Sequence, residues 1–337
     1  MKRVAIVGYG FMGRAHFGAW KKCPRAKVVA VCVRHPEQLR TKVTGNIKGA
    51  ADNSALPRNV SVFTDYQELL SAGGFDIVDL TVPTPCHAAM AVAAMKAGHD
   101  VLCEKPMALS LAEADRMLAA AKRTGRVLLV AQCVRFFPEY AALAKLVRRG
   151  TYGRVIAADF SRFMSAPKWS PKGGAWLLDE RKSGGLFVDA HIHDADYVLS
   201  VFGEPSRFVV RSHRGARGYV DHLVANYSYA DGKIVTATCS FAASASLKWD
   251  AFAHVFFERA TVYLAGGRLT IYPEQGKAFR PRLSRRSGYE EEVRYFLALT
   301  DGRRAGALTA EAARASLRLV LAERKASQFS TGRLTLD

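Results

Sequence analysis

The chain lacks the cysteine pairs and long apolar runs that would place it in an extracellular or membrane class. Its six cysteines include no Cys-x-x-Cys pair and no regular spacing, so no disulfide framework is predicted. No apolar stretch reaches the length of a membrane span, and the first residues show no signal-peptide cleavage pattern. We therefore expect reduced thiols, a cytoplasmic location and no membrane partner.

Acidic residues are also scarce. The sequence holds 30 Asp and Glu against 49 Lys and Arg, for a formal net charge of +19. The cations are spread along the chain, and the one dense run, Arg280–Arg286, has no interleaved aromatic residues. We therefore expect no specific nucleic-acid partner. The basic balance instead favours a small anionic cofactor or substrate.

No internal repeat or low-complexity segment is visible in the 337 residues, a length that suggests two domains. Short buried strands alternate with helices up to about residue 130, and strands predominate afterwards. The pattern predicts an α/β N-terminal Rossmann domain with a doubly wound parallel sheet over residues 1–130. It also predicts a C-terminal α+β domain with a large, mainly antiparallel open sheet over 131–337. An open sheet needs a second cover, so we expect a homo-dimer or tetramer through it.

The clearest motif is the N-terminal run V-A-I-V-G-Y-G-F-M-G, which leads from a strand into a helix. Gly8 permits the tight turn, Gly10 lets a pyrophosphate approach the backbone, and Gly13 allows close packing of helix on strand. Phosphates then meet free N–H groups at the helix N-terminus. The motif predicts a dinucleotide site formed by Gly8, Tyr9, Gly10, Phe11, Met12 and Gly13.

The acidic residue that usually follows the second strand of this fold is missing. Val33 stands at that position, Arg34 and His35 follow, and the first carboxylate of the chain is Glu37. An acid there would bind the ribose hydroxyl and repel a 2′-phosphate, whereas an arginine attracts the phosphate. We therefore predict NADP as the preferred cofactor. The alternative is a solvated Arg34 and an enzyme that accepts NAD as well.

Ligands of parallel sheets bind beyond the carboxyl ends of the strands. Besides the glycine loop and the Arg34–His35 end, two further strand ends carry polar residues. The predicted cofactor contacts there are Thr81, Pro83, His87, Glu104 and Lys105.

A second constellation begins at Gly184-Gly185 and continues into a predicted helix. Asp189 and His193 are four residues apart and therefore share a helix face, an arrangement that suits proton transfer near neutral pH. A metal site from His191-x-His193 is the alternative. Side chains two apart on a helix diverge, so we predict no metal.

These motifs resemble the Gfo/Idh/MocA family, which includes glucose–fructose oxidoreductase and inositol dehydrogenase. The resemblance covers nearly the full length and rests on the glycine motif, P-T-P-C-H at residues 83–87, E-K-P at 104–106 and G-G-L-F-V-D-A-H-I-H-D-A-D at 184–196. It implies that Lys105, Asp189 and His193 face the substrate. His193 would be the acid/base, and Lys105 would polarise the reacting oxygen. Val33 and His191 depart from the commonest family pattern.

The combined reading is an NAD(P)-dependent oxidoreductase that transfers a hydride between nicotinamide and a secondary alcohol or ketone of a sugar, polyol or related cyclic molecule. Arg135, Arg162 and Trp176 are predicted pocket residues. Two alternatives remain open. One is a glycosidase or epimerase that uses NAD for transient oxidation, and the other is a non-catalytic dinucleotide-sensing protein. The sequence does not name the substrate.

Overall fold

The computed structural model describes residues 1–45, 49–166, 177, 179–247, 249–303, 306 and 308–328. They form two compact units. The first combines residues 1–137 with 286–315, and the second combines 138–285 with the described residues from 316 onwards. The helix Gly288–Thr300 belongs to the first unit because it packs on the helix Phe11–Lys21. The domain boundary that we predict between residues 130 and 131 does not include this later segment in the first unit. The boundary stays a prediction.

The first unit contains a parallel six-stranded sheet in the order β3-β2-β1-β4-β5-β6, which confirms the predicted doubly wound architecture. Its strands are β1 (Lys2–Val7), β2 (Ala26–Cys32), β3 (Ser61–Phe63), β4 (Ile77–Leu80), β5 (Asp100–Glu104) and β6 (Leu128–Ala131). Its main helices are α1 (Phe11–Lys21), α2 (Tyr66–Ala72), α3 (His87–Lys96), α4 (Leu111–Thr124) and Gly288–Thr300. The strand order reverses between β1 and β4, so the crevice of this sheet opens beside the glycine loop.

Three of the five main helices of this unit begin with a side-chain cap, whereas α1 and α3 do not. Asp65 accepts the N–H groups of the first turn of α2, and Ser110 and Glu113 cap α4 reciprocally. At the start of α1 stands Gly10, which offers no side-chain bond. The first N–H groups of α1 are therefore left for another acceptor.

The second unit contains a seven-stranded sheet in the order β13-β12-β11-β7-β10-β9-β8. Its strands are β7 (Val155–Phe163), β8 (Arg207–Arg214), β9 (Val220–Ser228), β10 (Ile234–Ser240), β11 (Asp250–Phe257), β12 (Ala260–Ala265) and β13 (Arg268–Pro273). Of the pairs of neighbouring strands in this sheet, β7 with β10 is parallel and the others are antiparallel. This confirms the prediction of a mainly antiparallel sheet. Its helices are α5 (Pro138–Arg149), Glu180–Ser183, the π-helix Leu186–His191, Ile192–Phe202 and the part of the helix Ala310–Gln328 that starts at Ser316.

The two faces of this sheet differ in whether helices of the same unit pack on them. Apolar side chains such as Val235, Val255 and Val262 are fully buried on the face that receives helices of the same unit. Alternate positions on the opposite face carry aromatic rings, including His254, which stacks on Tyr263 with ring centroids 4.5 Å apart. This second face has no cover among the described residues of its unit.

Candidate functional site

The glycine loop has the geometry that a dinucleotide requires. Gly8 has a φ of 88°, and a Cβ there would lie 2.6 Å from the carbonyl oxygen of Thr81. A Cβ on Gly13 would overlap the carbonyl oxygen of Gly8, so the helix packs against its own loop. Around Gly10, in contrast, a Cβ would meet nothing within 4 Å. The loop is therefore closed on its protein side and open on the side where the uncapped N–H groups of α1 can receive phosphates.

The end of β2 leads into an exposed basic loop. Val33 is half-buried, Arg34 and His35 are exposed, and His35 Nδ1 lies 3.4 Å from Glu37 Oε1. No carboxylate occupies the Val33 position, where an acid would bind the ribose hydroxyl and repel a 2′-phosphate.

Arg14 anchors this loop, a role that the sequence reading did not assign. Its buried guanidinium donates to the carbonyl oxygens of Gln38, Leu39 and Thr41 at 3.2, 3.2 and 2.9 Å. It also lies over the Tyr9 ring, 5.0 Å from the centroid. The signal in the sequence was a charged residue among the mainly apolar residues of α1.

Two predicted cofactor residues brace the crevice from inside the protein. Thr81 donates its hydroxyl to the Gly8 carbonyl oxygen at 2.6 Å. His87 is buried, and its ring nitrogens lie 2.8 Å from the Pro106 carbonyl oxygen and 2.9 Å from that of Val82. Burial lowers the pKa of His87, and a neutral ring can donate its single N–H to only one of these two carbonyl oxygens. These side chains hold neighbouring strand ends together, and direct contact with a cofactor stays a prediction for both.

Glu104 is turned into the unit and supports Lys105. One carboxylate oxygen of Glu104 accepts the backbone N–H of Lys105 at 2.9 Å, and the other lies 3.1 Å from His16 Nε2. His16 Nδ1 lies 2.9 Å from Asp79 Oδ1, and Trp20 donates its indole N–H to Asp79 Oδ2 at 2.6 Å. The half-buried Lys105 thus follows β5 on a backbone that a fully buried network fixes.

This network favours a protonated imidazole. Burial alone would lower the pKa of His16, but the carboxylates of Asp79 and Glu104 outweigh it and raise that pKa well above its ordinary value. His16 and Asp79 were not predicted as site residues, because their partners lie 63 and 88 positions away along the chain.

The second unit carries Asp189 and His193 on a helix that changes its winding. Gly184 and Gly185 have φ values of 80° and 66°, and a π-helix over Leu186–His191 follows. The α-helix Ile192–Phe202 continues from it. The prediction of one uninterrupted α-helix is therefore wrong here: Asp189 lies in the wider π turn and His193 in the α turn. Both side chains are half-buried in a segment whose other residues are mostly buried.

The two histidines of this segment occupy different environments. His191 is fully buried, with Nε2 2.9 Å from Glu323 Oε2, whereas His193 is half-buried. Over the part of the chain that the structure describes, no group of three or more His, Cys, Asp and Glu side chains is arranged to hold a metal ion.

The three predicted pocket residues have different outcomes. Arg135 is half-buried in the first unit. Arg162 is 3% exposed and forms a bidentate pair with Asp194, at 2.7 and 2.8 Å, with its guanidinium over the Trp249 ring. This pairing favours a structural role for Arg162, and substrate contact stays a prediction. Trp176 lies outside the described residues.

The first unit is thus a dinucleotide-binding oxidoreductase fold, and comparison with known proteins gives its family. Residues 2–132 match the oxidoreductase family with NAD-binding Rossmann fold, and residues 140–277 match the Gfo/Idh/MocA C-terminal domain. The chain belongs to the Gfo/Idh/MocA oxidoreductase family, which confirms the resemblance found in the motifs. None of the described helices is long and apolar enough to cross a membrane.

Several curated relatives are dehydrogenases. D-apiose dehydrogenase of Paraburkholderia graminis is 29% identical over 240 residues, 71% of this chain and 60% of that protein. Trans-1,2-dihydrobenzene-1,2-diol dehydrogenase of Bos taurus is 28% identical over 254 residues, 72% of this chain and 69% of that protein. scyllo-Inositol 2-dehydrogenase (NAD(+)) of Bacillus subtilis is 31% identical over 204 residues, 60% of this chain and 54% of that protein. The chain therefore spans less than two thirds of the length of D-apiose dehydrogenase and of scyllo-inositol 2-dehydrogenase.

Solved structures share the fold at low identity. The aldose–aldose oxidoreductase from Caulobacter crescentus complexed with glycerol gives a TM-score of 0.83 at 19% identity, with 99% of each chain covered. Levoglucosan dehydrogenase in complex with NADH and levoglucosan gives 0.80 at 18% identity, with 97% of each chain covered.

Proposed function

We propose that this protein is an NAD(P)-dependent dehydrogenase or reductase that acts on a secondary alcohol or ketone of a sugar, polyol or related cyclic molecule. The observation that carries the proposal is the pairing, in one unit, of an open glycine loop at an uncapped helix with Lys105 on a fixed backbone. The names of the dehydrogenase relatives support the same reaction class.

The residues present fit a dinucleotide. The loop from Gly8 to Gly13 would hold the pyrophosphate, and the strand ends at Thr81 and Lys105 would border the nicotinamide ribose. When bound, the cofactor supplies hydride transfer, and the protein supplies position and the proton path.

The acid–base roles follow from residue chemistry. In the oxidative direction, His193 accepts the hydroxyl proton, and the Lys105 ammonium stabilises the developing alkoxide. Asp189 orients the substrate or His193. Transfer of the proton to His193 leaves the carbon electron-rich enough to release its hydride.

We propose NADP as the preferred cofactor. The exposed Arg34 has no acidic neighbour at the Val33 position, and Arg14 fixes the loop that follows. A guanidinium so placed is suited to the two negative charges of a 2′-phosphate.

We also propose a cytoplasmic homo-oligomer assembled through the open face of the second unit's sheet. Phe256 and Tyr272 are 38% and 48% exposed on that face, where His254 stacks on Tyr263. Exposed apolar side chains on one face of a sheet are typical of protein interfaces. Unpaired cysteines suit a reducing compartment, and the six here are free thiols.

The proposal is tested with a panel of sugars, polyols and cyclic diols, using the absorbance of reduced nicotinamide. On the substrate found, Lys105→Met should lower kcat by roughly 100-fold or more, because an oxyanion-stabilising group is worth about that much. Lys122→Met, on the last turn of α4, is the matched control and should leave kcat unchanged. Turnover by Lys105→Met within a few-fold of wild type would contradict the assignment. Cofactor that is tightly held and never consumed would instead indicate a glycosidase or epimerase.

A further inference from the structure

A closed group of three buried polar side chains lies behind the Asp189–His193 segment. His191 Nε2 lies 2.9 Å from Glu323 Oε2 and 3.2 Å from the Tyr227 hydroxyl oxygen. The Tyr227 hydroxyl donates to Glu323 Oε1 at 2.6 Å. All three side chains are fully buried within the second unit. They come from three elements: the π-helix, strand β9 and the helix Ala310–Gln328.

The protonation of this group follows from its partners. Burial raises the pKa of Tyr227 well above its ordinary value, and the Glu323 carboxylate adds to the rise, so the phenol keeps its proton and donates it. His191 Nδ1 has no hydrogen-bond partner among the described residues. The proton of a neutral His191 therefore belongs on Nε2, where the acceptors are.

Such a group adds little net stability. Replacing buried ionic and polar groups with well-packed apolar residues is often neutral or stabilising, whereas removing one partner of a pair is costly. What a satisfied buried network does provide is a single geometry for the elements it joins.

His191 is the last residue of the π-helix, two positions after Asp189 and two before His193. π-Turns are rare and wider than α-turns, so their winding has to be held by the surroundings. At the start of this one, a Cβ on Gly184 would overlap Val188, and the positive φ of Gly185 suits glycine. Its start is thus defined by two glycines and its end by the bonds of His191.

We propose that Glu323 and Tyr227 act through His191 as a positioning anchor, which holds the π turn and so sets the placement of Asp189 and His193. The proposal rests on the proton-transfer roles assigned to those two residues under Proposed function. It gives a role to His191, the position at which the motif departs from its commonest form.

The test compares Glu323→Leu with Glu323→Gln in the full-length protein. Loss of the anchor in Glu323→Leu should lower kcat roughly 10- to 100-fold, as expected for small displacements of reacting groups. The dissociation constant for NADPH should not change, because the glycine loop lies in the first unit. Glu323→Gln keeps an amide oxygen for His191 Nε2 and should recover kcat to within a few-fold of wild type. Should Glu323→Leu fail to fold, Tyr227→Phe removes one hydroxyl and should shift kcat in the same direction.

Val320→Ala controls for mere destabilisation. Val320 is fully buried on the same helix and makes no part of the anchor, so this variant should lower Tm while keeping kcat. If Glu323→Leu also lowered Tm and kept the wild-type kcat, the proposal would be overturned, because that result is expected of a residue that contributes only to stability.

Hydrogen exchange gives a readout that does not depend on activity. The backbone amides of residues 186–193 should exchange faster in Glu323→Leu, and at wild-type rates in Glu323→Gln. Unchanged exchange in Glu323→Leu would reject the anchor whatever its kinetics. If the wild-type protein oxidised no member of the substrate panel, the proposed function would fail, and the exchange measurement would still decide whether the anchor holds the turn.

Discussion

Replacing Glu292 should change how stability depends on pH. Its side chain is 0% exposed, and neither carboxylate oxygen has a hydrogen-bond partner among the described residues. Burial raises the pKa of Glu292 well above its ordinary value. Attraction to His16 opposes the shift, and the carboxylates of Glu104 and Asp79 add to it. Glu292 is therefore protonated in the folded protein at a pH where the unfolded chain has released the proton.

The magnitude follows from proton linkage. From about pH 4.5, the ordinary value, up to the folded pKa, the folded state binds one more proton than the unfolded state. The free energy of unfolding then falls as pH rises, by up to about 1.4 kcal/mol per pH unit. His16, whose folded pKa is raised, is present in both wild type and variant, so its titration cancels when their stabilities are compared. Glu292→Leu should thus gain on wild type up to about 1.4 kcal/mol for each pH unit between about pH 4.5 and the folded pKa of Glu292.

Urea unfolding at closely spaced pH values, followed by circular dichroism, measures this gain. Glu290→Gln on the same helix is the matched control. Burial would raise the pKa of Glu290, but hydrogen bonds from Lys22 and Ser287 lower it, so its titration lies below the window. A difference between Glu292→Leu and wild type that stays constant with pH would show that Glu292 is ionised in the folded state and refute the reasoning.

Three further predictions concern the site. Arg34→Asp should shift the ratio of NADPH to NADH affinity toward NADH, measured by titration; an unchanged ratio contradicts the 2′-phosphate role. His193→Asn should slow turnover by roughly two to four decades and remove the rise of oxidative rate through the histidine range, while a profile of unchanged shape assigns His193 to structure. Arg162→Met leaves Asp194 buried alone and should lower the unfolding free energy by roughly 3–5 kcal/mol in urea titrations, whereas a loss below about 1 kcal/mol argues against a structural pair.

The architecture was largely readable because buried strands and glycine turns leave local patterns. The Asp231-Gly232 hairpin between β9 and β10 is one example, with Gly232 at a φ of 86°. Strand β12 is hard to locate from the sequence, because the turn that joins it to β11, at Glu258-Arg259, carries no glycine, proline or asparagine. Strand β3 is equally hard to locate, because its three residues are too few to show an alternating pattern.

The site was readable only where the backbone itself imposes the residue. Gly8 and Gly13 are required by steric contacts that any such loop makes. The network around His16 depends on partners far along the chain, and such pairings leave no local pattern. The π-helix was invisible for a related reason: its apolar residues recur at a spacing close to that of an α-helix, so hydrophobic periodicity does not separate the two.

Helix α1 has a mechanical consequence for the binding of a dinucleotide. Its first turn borders the phosphate loop, and His16, near its middle, is bonded to Glu104 just before Lys105. A ligand that binds the first turn of α1 therefore contacts the same helix whose His16 holds Glu104, and Glu104 in turn accepts the backbone N–H of Lys105. Binding free energy from phosphates that take no part in the chemistry can thus lower the barrier at the reacting carbon. Cofactor fragments that lack the pyrophosphate should lose reaction rate as well as affinity, because no ligand then binds the N-terminal turn of α1.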